Sequence, residues 1–286
     1  GDNAMYANTS GTSNAGVGQS ALTANTSGAG NTGIGALALD ANTTGTANTG
    51  LGSSAGGAIT TGSSNTAVGK DALDAATTVS NITAVGSNAL GALTTGVENN
   101  AFGFQSGSTL TTGTANTFMG YNAGLSVTTA TTNVLIGSTA GDAITTSSGN
   151  ICIGTDAGGA ITTAGSGGNI AIGNYAGQNN LTGYRNVAVG STSGGGTGNY
   201  NTSVGYGAFA ANDSGGQNTC IGDAAGAAIT SSSTNTAVGY SSMAATTTGT
   251  SNTAVGSFTL DANTTGGANT ALGKNALGAN TTGSNS

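Results

Sequence analysis

The chain of 286 residues has no histidine, no proline and no tryptophan, only two cysteines, and only three basic residues, Lys70, Arg185 and Lys274. Each shortage removes a class of function. Without histidine, neither a Ser-His-Asp nor a Cys-His catalytic arrangement can be assembled. With a net charge of −7 and so few cations, no basic stripe exists to neutralise phosphates, so nucleic acid is not an expected partner. An anionic membrane surface is disfavoured for the same reason. No apolar run approaches the roughly 20 residues that a membrane-spanning helix needs. The ten acidic residues are scattered. Asp40, Asp74, Asp142 and Asp261 share one repeat position but never in adjacent repeats, so no carboxylate pair, metal site or cofactor is expected. The glycine run Gly194–Gly198 lacks the lysine of a phosphate loop and reads as an irregular turn. An enzyme is the least expected class.

What the chain does have is glycine, 54 of it, and one phrase written over and over. The glycine that closes "NTAVG" falls at Gly1, Gly18, Gly35, Gly52, Gly69, Gly86, Gly103, Gly120, Gly137, Gly154, Gly173, Gly190, Gly205, Gly222, Gly239, Gly256 and Gly273. The step is 17 residues throughout, except one of 19 after Gly154 and one of 15 after Gly190. Numbering each unit from its glycine gives G-x-x-A-L-x-A-N-T-T-G-x-x-N-T-A-V. A period of 17 is too short for helix-pair repeats, and Thr, Val, Ile, Gly, Asn and Ser suit short strands and tight turns. The expected fold is all-β: a single parallel β-solenoid of about 17 coils, one repeat array over residues 1–286 without separate domains, with irregular coils around 155–205. The chain opens on Gly1 in mid-phrase and shows no signal peptide, which reads as part of something longer. Neither end carries a polar cap, which would leave strand edges open to further coils.

Three files of positions carry the structural expectations. Position 17 is apolar in every complete unit, including Val17, Ile34, Leu51, Val68, Val85, Ile136, Ile153, Val189, Val238 and Val255, and is expected to be the core file. Position 16, on the opposite side of the same strand, is also small or apolar (Gly16, Ala67, Phe118, Leu135, Cys152, Cys220). A strand apolar on both faces is expected to be covered on both, one by its own coil and the other, over position 16, by another chain or another wall. Position 14 is asparagine in 15 of the 16 complete units. Asn14, Asn31, Asn48, Asn65, Asn116, Asn133, Asn150, Asn218, Asn235, Asn252 and Asn269 are expected to stack as an amide ladder, with Ile82 as the break.

Positions 5 and 8 exchange bulk. Leu22, Leu39, Leu73 and Leu260 sit with Asn25, Asn42, Ala76 and Asn263, whereas Gly56, Gly141, Gly158 and Gly226 sit with Ile59, Ile144, Ile161 and Ile229. Two large side chains would overfill one volume and two small ones would leave a void. Leu90 with Leu93, Gly177 with Asn180 and Gly194 with Thr197 depart from the rule. Cys152 and Cys220 both fall at position 16, four coils apart, too far for a disulfide within the chain, and read as small core residues. The paired threonines at positions 9 and 10 raise ice binding, but adjacent strand residues face opposite ways and offer one outward file only. Tyr121, Tyr206 and Tyr240, all at position 2, are the candidates for stacking on a sugar. Sequons at Asn8, Asn42, Asn263 and Asn280 would matter only in a glycosylating host.

The phrase "NTAVGxxAL" resembles the head repeats of YadA-type trimeric autotransporter adhesins, and is similar to repeats in phage tail fibres. The resemblance implies a left-handed parallel β-roll, three chains side by side, and surface adhesion. The family's unit is shorter; this one adds a "TTG" segment, and no heptad stalk or membrane anchor follows. The expected function is therefore architectural: the shaft or head of an extracellular, cell-surface or virion-surface fibre or filament, possessing copies of itself as partners and a surface receptor or glycan as a further one. The alternative is a monomeric solenoid that binds ice or polysaccharide.

Overall fold

The computed structural model describes residues 1–162, 167–179 and 182–286. Among them there is no helix. Sixteen strands of three residues each form one parallel sheet in chain order, a β-solenoid. The repeat supplies 17 anchor glycines but 16 strands, because the strand closes each unit and the unit opened by Gly273 reaches only position 14 at Ser286. The chain divides into two compact units, Gly1–Thr146 and Ser147–Ser286. The first holds β1 (Ala15–Val17) to β8 (Val134–Ile136), the second β9 (Ile151–Ile153) to β16 (Thr270–Leu272). Within each, every strand pairs in register with the next, as Ala67 with Ala84 and Ala237 with Ala254. The register also survives the irregular steps: Ala171 pairs with Cys152 across the 19-residue unit and Ala188 with Ser203 across the 15-residue one.

The strands face the opposite way from the sequence expectation. In β4 (Thr66–Val68) and β5 (Thr83–Val85), Ala67 and Ala84 are fully buried while the residues on either side are half-buried. The inner file is therefore position 16, and position 17 turns outward. Val17, Ile34 and Leu51 are exposed, Val17 to 59%. Val68, Val85, Ile136, Ile153, Val189, Val238 and Val255 are half-buried. The reason is room. Leu22 and Leu39 already fill the coil interior below position 16: a Cβ placed on Gly33 would lie 3.2 Å from Leu22 Cγ, and one on Gly50 2.9 Å from Leu39 Cγ. Only small residues fit inward there, so the larger Val, Ile and Leu are carried on the outer side of the same strand.

The remainder of each coil is turn. The anchor glycine takes φ near +130° (131° at Gly18, 134° at Gly35), a conformation that side chains avoid. It also stacks on the next anchor: a Cβ on Gly35 would stand 2.6 Å from the carbonyl carbon of Gly52. Positions 3, 5 and 13 are left-handed as well, even where they are not glycine, as at Ser20 (56°), Leu22 (52°) and Ala47 (55°). A left-handed leucine costs about 1–2 kcal/mol, and burying its side chain returns about 2 kcal/mol. The two nearly cancel, so position 5 can alternate between Leu and Gly through the array.

The exchange between positions 5 and 8 has a direct geometric basis. A Cβ on Gly141 would lie 2.9 Å from Ile144 Cδ1, one on Gly158 3.1 Å from Ile161 Cδ1, and one on Gly226 2.9 Å from Ile229 Cδ1. Position 16 joins the exchange. The Phe118 ring fills the space over Gly107 and Gly124, where an added Cβ would come within 2.6 Å and 2.5 Å of it. Thr197 is not at position 8 at all. Its N–H and its Oγ1 both donate to the Asp213 carbonyl, the pattern that Thr26 makes with Thr43 from position 9. The 15-residue coil has thus lost its position 8 residue. A cavity of about 10 Å³ remains there, against Gly177, Ala188, Gly194 and Ser203. The pairing of Gly177 with Asn180 falls on a residue outside the described ones.

Candidate functional site

Three kinds of ladder hold coil to coil and decide which side chains are left for anything else. The first is at position 14. Asn31 N–H donates to Asn14 Oδ1 (2.8 Å), Asn48 N–H to Asn31 Oδ1 (2.9 Å) and Asn65 N–H to Asn48 Oδ1 (3.0 Å). Each Nδ2 donates to a position 11 carbonyl of the following coil, as Asn31 to Gly45 (2.8 Å). Ile82 N–H still donates to Asn65 Oδ1 (3.0 Å), but its side chain offers the next coil no amide. The file resumes with Asn116 N–H on Asn99 Oδ1 and Asn133 N–H on Asn116 Oδ1, both 3.0 Å. In the second unit it includes Asn150, Asn169, Asn186, Asn201, Asn218, Asn235, Asn252 and Asn269, through both irregular coils.

The second ladder is threonine at position 9, whose Oγ1 donates to the carbonyl of the same position one coil on: Thr43 to Thr60 (3.1 Å), Thr111 to Thr128 (3.1 Å), Thr247 to Thr264 (3.1 Å). These hydroxyls are committed internally. The third is a short run at position 8, where Asn25 Nδ2 donates to Asn8 Oδ1 and Asn42 Nδ2 to Asn25 Oδ1, each 2.8 Å. It stops at Asn42, whose Oδ1 is buried without a partner because the next coil places Ile59 there. Asn42 and Asn263 are fully buried, so those two sequons are closed to a transferase in the folded chain.

The reactive side chains are few and largely sequestered. Cys152 and Cys220 are buried free thiols in β9 and β13 (Thr219–Ile221), and loss of hydration pushes both up to about 12. Among the described residues, no group of three His, Cys, Asp or Glu could hold a metal ion. Asp40 and Asp74, two coils apart, both lie beside Gly57, which holds the same position in the coil between them. A Cβ on Gly57 would lie 2.8 Å from Asp74 Oδ1 and 3.3 Å from Asp40 Oδ1. Both carboxyls are raised above their ordinary value, Asp40 by lost hydration and Asp74 by lost hydration and then by the charges of Asp71 and Asp40.

What the ladders leave free is the outer face of the sheet. Its two files are position 15, mostly threonine (Thr32, Thr49, Thr66, Thr83), and position 17. In the first unit Ile34, Leu51, Phe102 and Met119 are exposed, Leu51 and Met119 each to 44%. In the second, Ile172, Ile221 and Leu272 are. Exposed aromatics lie beside this face at positions 2 and 3. The rings of Phe104 and Tyr121 stack in adjacent coils, centroids 5.5 Å apart and planes at 11°, and Tyr240 meets Phe258 edge-on at 5.1 Å. Tyr206 is exposed, and no ring contact involving it occurs among the described residues. Sequence reasoning placed the free apolar file on the wrong side of the strand. The signal that identifies it is the exchange between positions 5 and 16: Gly33 with Leu22 and Gly50 with Leu39, against Phe118 with Gly107 and Leu135 with Gly124. Comparison with family models, curated proteins and solved structures found no match.

Proposed function

We propose that this chain is a structural repeat protein, part of an extracellular or surface fibre, that associates side by side with copies of itself. The observation that carries this reading is the outward position 17 file: aliphatic and aromatic side chains exposed at every few coils, on a face with no other covering among the described residues. Soluble monomers rarely expose apolar surface in continuous files. A second copy fits best, because it offers an identical file at the identical coil spacing, so every residue of one row meets a row of the same period. The resemblance of "NTAVGxxAL" to trimeric adhesin heads and tail fibres supports three chains per assembly, a place on a cell or virion surface, and an adhesive role. The test is the native mass in solution, with electron micrographs of the same sample. A discrete trimer is expected for the parent chain, and smaller species for Leu51→Lys with Met119→Lys. A parent chain that is monomeric at every concentration would overturn the reading.

One observation favours a second reading. Thr32, Thr49, Thr66 and Thr83 with Ile34, Leu51, Val68 and Val85 give two outward files of hydroxyl and methyl groups in regular register, where the T-T pair alone gave one. A monomeric chain that inhibits ice recrystallisation would establish an ice-binding face instead.

A further inference from the structure

The 15-residue coil opens a cleft in the surface. Thr197 holds position 9, and Gly198 accepts from Asn186 Nδ2 (2.8 Å) as position 11 residues do elsewhere. The residue lost between them is the exposed position 10, so the corner of this coil is cut back between its neighbours. The resulting cleft has a volume of about 290 Å³ and is lined by Thr197, Asn199, Tyr200, Ser214, Gln217 and Ser233, with Gly198 and Gly216 leaving its floor bare. Among the described residues no charged side chain lines it.

Tyr200 is one wall, 46% exposed. Behind it, in the preceding coil, Tyr184 packs edge-on at 5.2 Å and the Arg185 guanidinium carbon lies 5.7 Å from its ring centroid. These two fix the ring from that side, and the other cleft residues come from its own coil and the two following ones. The polar groups around the cleft are only partly spent. Asn199 Oδ1 accepts from Tyr184 N–H (2.9 Å) and Ser233 Oγ from Gly216 N–H (3.1 Å). Asn199 Nδ2, the Gln217 amide and the Ser214 hydroxyl have no protein partner among the described residues.

We infer that this cleft is a binding site for a neutral pyranose ring of a glycan. A sugar ring presents an apolar C–H face that stacks on an aromatic side chain, and a rim of hydroxyls that need both donors and acceptors; amides and hydroxyls supply both. The absence of lining charge selects a neutral unit. A volume at the lower end of the roughly 300–1,000 Å³ range of small-molecule pockets selects one ring and not an extended chain. The inference does not rest on self-association, since the site lies within a single chain.

The test is saturation-transfer NMR and titration calorimetry of the full chain with maltotriose, cellotriose and chitotriose as probes. At least one is expected to bind, with saturation on its ring C–H protons. Tyr200→Ala is expected to weaken that binding by about tenfold, and Tyr200→Phe to retain it. Gly216→Thr, which fills the floor, is expected to abolish it. Folding is not at stake in either, because alanine already holds position 13 at Ala47 and Ala115 and threonine holds position 12 at Thr46 and Thr250. Failure of all three probes to bind would overturn the proposal, and so would binding that survives both Tyr200→Ala and Gly216→Thr.

Discussion

Ile59 Cδ1 lies 3.0 Å from the point where a Cβ on Gly56 would stand. One coil earlier the same space belongs to Leu39, with the small polar Asn42 at position 8. The two coils are two solutions to one packing problem, and either should be convertible into the other. Leu39→Gly alone relieves a left-handed leucine (φ 52°) but opens a cavity, and is expected to cost about 3 kcal/mol. Adding Asn42→Ile refills the volume and moves the unpartnered amide oxygen from Asn42 to Asn25, which loses the Asn42 Nδ2 donor, so the number of orphaned oxygens is unchanged. The double variant is expected to melt near the parent and well above Leu39→Gly. Thermal unfolding of the three chains decides it: a double variant melting no higher than Leu39→Gly means the two positions do not share a volume.

The position 14 ladder makes each asparagine a bridge between coils. Asn116 Oδ1 accepts from Asn133 N–H, and its Nδ2 donates to the Ala130 carbonyl (2.9 Å), all fully buried or nearly so. Asn116→Ala removes both contacts at once and is expected to destabilise by about 3 kcal/mol, because buried backbone groups lose partners that water cannot replace. Asn14→Ala, where the side chain is only half-buried, should cost about 1 kcal/mol. Equal costs measured by denaturant unfolding would mean that burial does not set the ladder's strength.

The repeat period, the parallel solenoid and the asparagine file were legible in the sequence because each depends on identity at a fixed spacing. The outward direction of position 17 was not. With apolar residues at both 16 and 17, alternation alone gives no sign, and the decision belongs to side chains eleven residues away, such as Leu22 over Gly33. The nearness of Asp40 and Asp74 to one position was hidden for a related reason: it depends on what the coil between them lacks, a side chain at Gly57. The two lost residues in the Gly190 coil were visible as a length of 15 but could not be assigned until Thr197 showed position 9 hydrogen bonds and Gly198 those of position 11.

Position 13 offers a gain in stability. Thr132 sits there with φ 58°, exposed, its hydroxyl bonded only to the adjacent Thr131 carbonyl, while Gly30 and Gly149 fill the same position elsewhere. A β-branched residue bears the left-handed cost in full, and glycine does not. Thr132→Gly is expected to stabilise by about 0.5 kcal/mol after its larger unfolded-state entropy is counted. A lower melting temperature for this variant would show that the Thr132 side chain contributes more than its backbone conformation costs.

The Asp40–Asp74 pair predicts how stability should vary with acidity. Each carboxyl is raised in the folded chain above the 3.8 of an ordinary aspartate, so the fold holds those protons more tightly than the unfolded chain does. Lowering the pH from neutral through the raised value therefore favours the folded state, and the gain is complete once the pH is below 3.8. The nearest opposite charge, Lys70, does not reverse this, since it is 2.7 Å from Asp71 and acts on Asp74 only weakly. Asp74→Asn removes the ionised form outright. The variant is expected to melt above the parent at neutral pH, with the difference closing as the pH falls below 3.8. Because the comparison is between variant and parent at each pH, the remaining acidic residues cancel to first order. A variant that melts below the parent at neutral pH would mean that the Asp74 carboxylate is held favourably in its charged form.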